Sequence, residues 1–127
     1  MRLTGAAERI ALLILLAAAV ALSAADTRTV TVKGYVLDSA CAFTKDLKKP
    51  ISSQCAVACA KAGSPLVILA DHETIYWPIA DTTPASGQNA KLLPFAGEKV
   101  TASGKVYERG GSKAIVIEKI EAEATPK

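Results

Sequence analysis

The sequence predicts an all-β fold with small helical insertions, built as a five-stranded barrel. The first observation is the C-terminal third, where two segments with β-branched residues at alternating positions flank a glycine-containing turn. The second is a series of three shorter apolar or β-branched segments upstream, each bounded by glycine, proline or polar residues. The chain has 127 residues, a length that suits one domain.

The first predicted strand covers residues 27–36, where Val30 and Val32 alternate with threonine and lysine. Gly34 interrupts this pattern, and a glycine inside a strand indicates a bulge or a sharp bend. The segment after this strand, residues 37–50, is less regular in pattern, and its three lysines next to Pro50 are expected to lie in a solvated loop.

A short helix is predicted at residues 54–62, between the first and second strands. Ser52 or Ser53 can cap its N-terminus, and Gly63 can end it. Two of the three cysteines of the chain lie on this helix.

The middle of the chain predicts a β-hairpin. Residues 66–70 and 74–80 are two apolar runs, and the polar residues 71–73 between them are typical of a turn. Residues 88–93 are expected to form one or two helical turns.

The last two strands are predicted at residues 99–108 and 114–120, joined by a turn at residues 109–112. Gly104 lets the fourth strand bend around a barrel. Five strands with a helical link between the third and the fourth match the five-stranded OB barrel. The predicted domain is therefore an OB-like barrel with a cysteine-bearing helix between strands 1 and 2.

Two parts of the chain resemble known groups of proteins. Residues 97–106 and 114–120 resemble the closing hairpin of small secreted bacterial OB-fold domains, which implies the same barrel. Residues 34–65 contain the pattern D-x2-C…C-x3-C…G-x-P, which is similar to a pattern in uncharacterised exported bacterial proteins. That second resemblance implies that the three cysteines belong to one unit, and it implies no activity.

Residues 1–25 have the layout of a secretory signal peptide: two arginines, the uncharged stretch 10–22, and small residues up to Ala25. As a helix, the uncharged stretch would span about 20 Å, which is short of a hydrocarbon core of about 30 Å. We therefore expect cleavage near Ala25 and no permanent membrane anchor. The mature domain, residues 26–127, is expected to be exported to the periplasm or secreted.

The charge of the chain limits its partners. Fifteen basic and 12 acidic residues give a net charge of +3, which argues against a dedicated nucleic-acid binder. The expected partner is a protein or a small ligand, and no nucleic acid.

Three cysteines in an exported domain cannot all pair within one chain. One interpretation is a structural disulfide from Cys41 to Cys55 or to Cys59, with the remaining thiol buried. A second is a soft-metal site, because converging thiolates bind Cu(I) or Zn. His72 or Asp38 could supply a fourth ligand to that ion.

The leading functional hypothesis is thus a non-enzymatic binding or structural module. The alternative is a thiol-dependent redox enzyme in which Cys55, in the first turn of its helix, is the reactive residue. Cys59 or Cys41 would then resolve the oxidised thiol. His72, the single histidine, is otherwise expected to be a solvated turn residue.

Aromatic residues raise one further possibility, since OB grooves stack flat ligands on aromatic side chains. We expect most of them to be core or barrel-rim residues instead. The candidates are Tyr35, Tyr76, Trp77, Phe95 and Tyr107.

Overall fold

In the computed structural model, which describes residues 28–45 and 51–124, strand β1 (Arg28–Asp38) pairs with two different strands. Its first part pairs antiparallel with β4 (Lys99–Arg109), and its last part pairs antiparallel with β2 (Leu66–Ala70). Gly34 belongs to both ladders. A Cβ atom at this position would collide with the backbone of β2, so the close approach of the two strands requires glycine.

Two further strands close the barrel. Strand β3 (Ile75–Pro78) pairs antiparallel with β2 and parallel with β5 (Ser112–Ala122), and β5 pairs antiparallel with β4. The resulting order β1-β2-β3-β5-β4 returns to β1 and forms a closed barrel. The predicted all-β, five-stranded OB-like barrel is confirmed. The pairing register shifts between Ser103 and Gly104, where the sequence predicts a bend.

Short helices fill the connections. Helices α1 (Ser39–Thr44) and α2 (Ser53–Lys61) lie between β1 and β2, and α3 (Asn89–Leu92) lies between β3 and β4. One 3-10 turn (Asp71–Glu73) joins β2 to β3, and another (Leu93–Phe95) follows α3. The predicted cysteine-bearing helix is confirmed as α2.

Helix α1 corrects the expectation of an irregular segment after the first strand. Strand β1 continues to Asp38, and the side chain of this residue then caps α1 by accepting a hydrogen bond from the backbone N–H of Cys41. An aspartate three residues before the bonded amide is a common helix start. The helix is only six residues long and has no apolar repeat, so its periodicity is too short to detect.

The core lies inside the barrel and is closed by the helices. Alternate residues of the strands fill the interior, and α2 and α3 each add one residue, Ala60 and Leu92. Leu92 is fully buried. The start of α2 rests on Gly97, where a side chain would collide with the backbone of Ser53. The helices that carry the cysteines are therefore fixed against one end of the barrel.

The predicted signal peptide, residues 1–25, lies outside the described residues. Among the helices of the described part of the chain, none is long and apolar enough to cross a bilayer.

Candidate metal centre

Asp38 is the single charged residue among the buried residues of the described chain, with a relative exposure of 2 %. Its Oδ2 atom accepts hydrogen bonds from the backbone N–H of Cys41 at 3.1 Å and from the Ser64 hydroxyl at 3.3 Å. Burial raises the pKa of Asp38, but hydrogen bonds from the thiol and amide of Cys41, from Ser64 and from the Cys59 thiol outweigh it and lower the pKa overall. The carboxylate is thus kept charged by donors that surround it.

Two cysteine side chains face this carboxylate. The hydrogen bond from the Cys41 thiol to Asp38, together with burial and the nearby negative charge, raises the pKa of Cys41 to about 11. Burial and the charge of Asp38 also raise the pKa of Cys59. Both thiols are therefore protonated at neutral pH in the metal-free protein.

The donor atoms of Asp38, Cys41 and Cys59 all lie within 4.8 Å of one another. We call these three residues the thiol–carboxylate cluster. Asp38 and Cys41 come from the junction of β1 and α1, whereas Cys59 comes from α2. The cluster thus joins two helices that are separated in the sequence by residues 45–52.

Cys55 lies beside this cluster, at its solvent-facing side. It is exposed, and its thiol interacts with that of Cys59 one helical turn further along α2. Its backbone N–H donates to the Ser52 hydroxyl that caps the helix. The structure therefore brings the three predicted cysteines to one place, and Cys55 is the most accessible of them.

Further hydrogen bonds fix the position of Ser64, a partner of Asp38 in the cluster. Ser64 donates to Asp38, and its own carbonyl accepts from the side-chain amide of Asn89 at 2.8 Å. The same Asn89 side chain accepts from the backbone N–H of Leu66 at 2.8 Å. Helix α3 therefore fixes the loop that contains Ser64. Asn89 and Ser64 are 25 residues apart, so the sequence pattern does not reveal their contact.

His72 is not brought to the cluster. Asp38 pairs with Leu66 at the first residue of β2, whereas His72 follows the last residue of that strand. Four residue steps of a strand cover about 13 Å. His72 is also exposed, with a positive φ of 70° in the turn between β2 and β3. Of the two side chains considered as a fourth ligand, the structure places Asp38 at the cysteines.

No disulfide is formed in this structure, where Cys41, Cys55 and Cys59 are all free thiols. Neither predicted pairing, from Cys41 to Cys55 or from Cys41 to Cys59, is present.

The raised pKa of Cys41 leads to a first prediction. In the reduced, chelator-treated protein, the alkylation rate of Cys41 should rise about tenfold per pH unit from pH 7 and level off only near pH 11, because the thiolate is the reacting form. Peptide mass mapping after timed iodoacetamide treatment measures this rate. In Asp38→Asn, which lacks the charge that retains the proton, the plateau should move to lower pH. A wild-type plateau at pH 9 would contradict the bond between Cys41 and Asp38.

The aromatic residues considered as a binding face have different environments in the structure. Tyr76 and Phe95 pack against the core, while Tyr107 is 39 % exposed near the end of β4. Trp77 instead contacts Phe43 of α1, a residue that the sequence analysis did not single out, at a ring-centroid distance of 6.2 Å. Two of the five candidates, Tyr76 and Phe95, thus contribute to the core.

A shallow cleft of about 390 Å³ lies beside the Phe43–Trp77 pair, bordered by the β2–β3 turn and by the β4–β5 turn. Phe43 is 65 % exposed, and its ring contacts that of the only tryptophan in the chain at an interplanar angle of 32°. Helix α1 therefore carries both a residue of the cluster and a residue in contact with Trp77.

Replacing Phe43 by alanine should expose Trp77 to water. We expect a red shift of tryptophan emission and a loss of about 1 kcal/mol in the free energy of unfolding, as is typical for one aromatic pair. Fluorescence during urea denaturation measures both quantities. Lys45→Ala, an exposed change at the end of the same helix, should leave the emission unchanged. An unshifted spectrum for Phe43→Ala would mean that Phe43 does not shield the indole.

Comparison with known proteins adds no relative to this picture: no protein-family model, curated protein or solved structure matches the chain.

Proposed function

We propose that this chain is an exported, non-enzymatic binding domain that holds one soft metal ion, Zn(II) or Cu(I), in the thiol–carboxylate cluster. The observation that carries the proposal is the environment of Asp38. A buried charge is normally paired with an opposite charge or bound to a metal ion. Within residues 28–45 and 51–124, no basic side chain forms an ion pair with Asp38; thiols, a hydroxyl and an amide surround it instead.

The spacing of the donor atoms suits a metal ion after a small contraction. In a tetrahedral zinc site, sulfur ligands at 2.3 Å from the ion lie about 3.8 Å apart. Donor atoms within 4.8 Å of one another need to move by at most about 1 Å to reach that geometry. Cys55 is the available fourth ligand, because its thiol already interacts with that of Cys59. Binding would release thiol protons, since thiolates are the ligands.

The proposed export rests on the sequence of residues 1–25. After export, a bound metal ion would protect the thiols from oxidation. Compartments outside the cytoplasm oxidise free cysteines. Thiolates bound to a metal ion are less accessible to that oxidation, and the ion would join α1 to α2 at one end of the barrel. The partner of such a domain is a small ligand or a protein. The metal ion is the ligand for which the donor atoms of the cluster give direct support.

Mass spectrometry of the intact, reduced domain under native conditions tests the proposal. After removal of metal with a chelator and addition of Zn(II), we expect one ion per chain, with loss of protons matching the charge of the ion. Cys41→Ser and Cys59→Ser should bind less of the ion, and Cys55→Ser should weaken binding to a smaller degree because this residue lies outside the cluster. Absence of a bound ion in the wild type, with all thiols reduced, would reject the proposal.

A structural disulfide between Cys41 and Cys59 is the second candidate, because their sulfur atoms lie within 4.8 Å. Such a bond would close a loop of roughly 20 residues and stabilise the fold by about 3 kcal/mol. Protein isolated from the exporting compartment distinguishes the two functions. A mass lower by two hydrogens, unchanged by a chelator, would establish the disulfide and displace the metal site.

The thiol-enzyme alternative depends on Cys55, which is exposed and lies in the first turn of α2. A reactive cysteine is alkylated rapidly at neutral pH because it is largely a thiolate. We expect slower alkylation of Cys55 in the zinc-loaded protein than in the metal-free protein. Rapid, selective modification of Cys55 at pH 7 would favour the redox function instead.

A further inference from the structure

The donor set of the thiol–carboxylate cluster combines one oxygen with two sulfur atoms, and the oxygen is held rigidly. Asp38 is the last residue of β1 and the cap of α1, and it is almost completely buried. Its Oδ2 atom is oriented by the Cys41 amide and by the Ser64 hydroxyl. The carboxylate is therefore directed by backbone and side-chain bonds that do not depend on a metal ion.

The two thiol protons occupy the place that a cation would take. The Cys41 and Cys59 sulfur atoms and a carboxylate oxygen of Asp38 all lie within 4.8 Å of one another. When one metal ion binds, the two thiol protons leave to solvent, and the ion contacts both sulfur atoms and the carboxylate oxygen. The ion that fits best is consequently one that accepts both sulfur and carboxylate oxygen.

Zn(II) and Cu(I) differ in this respect. Zn(II) is a borderline acceptor that binds thiolates and carboxylates together, usually with four ligands. Cu(I) is soft, and thiolates select it with little contribution from a carboxylate. Resting on the proposed metal function, we propose that Asp38 is the specificity-determining ligand that makes this site selective for Zn(II) over Cu(I). Cys41 and Cys59 bind either ion, whereas the Asp38 oxygen favours zinc.

Asp38→Asn separates the charge of the residue from its structural role. Asparagine caps helices about as well as aspartate, so α1 should still form. Asp71→Asn is the matched control, because Asp71 has the same charge but follows the opposite end of β2 from the cluster. Its side chain is 52 % exposed and forms an ion pair with Lys99. Asp38→Ser, which also retains a capping side chain, repeats the measurement with a different residue.

The affinities of wild type and variants are measured in the reduced domain by competition with a chromogenic zinc chelator and, under nitrogen, with a Cu(I)-specific chromogenic ligand. In Asp38→Asn and Asp38→Ser we expect zinc binding weaker by about 100-fold, the upper end of the loss that removal of an outer-shell partner causes, with Cu(I) binding within about threefold of the wild type. Asp71→Asn should change neither affinity. Retained Cu(I) affinity also shows that the two thiols are still together.

Each alternative outcome has a distinct meaning. If the wild type binds neither ion, the proposed metal function itself is wrong. If the wild type binds zinc and the Asp38 variants bind it equally well, or lose zinc and Cu(I) to the same degree, the metal function stands and the selective role of Asp38 is overturned. Circular dichroism and Trp77 emission confirm that the variants compared are folded.

Discussion

At a free zinc concentration about 1,000-fold above the dissociation constant, the reduced domain should have a free energy of unfolding about 4 kcal/mol higher than the chelator-treated domain. The reason is linkage: the ion binds donor atoms that only the folded chain holds together. Asp38 and Cys41 lie on one side of the cluster and Cys59 lies on α2, so unfolding separates them. Urea denaturation followed by Trp77 fluorescence, in zinc buffer and in chelator, measures the difference.

Cys41→Ser should lose most of this zinc-dependent stabilisation, whereas Ala40→Ser should retain it. Both variants place a new serine on α1, but Ala40 is exposed and contributes no donor atom to the cluster. Each variant is compared with itself in zinc and in chelator, so a general effect on stability cancels. Full zinc-dependent stabilisation of Cys41→Ser would mean that the ion binds elsewhere, for instance at His72, and would contradict the assignment of the cluster.

The barrel could be predicted from sequence because its strands have local signals. The two C-terminal strands alternate clearly, and the turn between them contains Gly110 and Gly111, both with positive φ. Helix α1 was missed for a physical reason: six residues show too little periodicity, and only the pairing of Asp38 with the Cys41 amide marks the start. The aspartate at the N-cap position is the one local signal of that helix start, and it is independent of the cysteine side chain because the bond is made to a backbone N–H.

The cluster could be predicted only in part. The spacing of Cys55 and Cys59 places them one helical turn apart, and Cys41 follows the first strand, so their approach was expected. The fourth position was left open between Asp38 and His72. The register of β1 against β2 places Asp38 near the cysteines, because Asp38 pairs with the first residue of β2, whereas His72 lies two residues beyond its last. A register is a long-range property that the local pattern does not contain. The hydrogen bonds of Asn89 with Ser64 and Leu66 could not be predicted for the same reason.

Gly34→Ala should destabilise the barrel by about 3 kcal/mol, at the upper end of the range for overpacking, because the added methyl group meets backbone rather than a movable side chain. Gly34 lies where β1 passes from its pairing with β4 to its pairing with β2. The new Cβ would collide with the carbonyl of Leu69 and with the Cα atom of Ala70. Relief of that collision requires β1 and β2 to separate.

Separation of β1 from β2 at Gly34 would also disturb the cluster, because the ladder that begins there continues to Asp38. We therefore expect Gly34→Ala to weaken zinc binding as well as stability. Gly87→Ala is the matched control: a Cβ at Gly87 has no neighbour within 4 Å, and its φ is not in the left-handed region. That variant should change the free energy of unfolding by less than about 1 kcal/mol. Urea denaturation of both variants decides the matter; equal stabilities would show that the strand corner tolerates a side chain and that glycine is not needed for barrel closure.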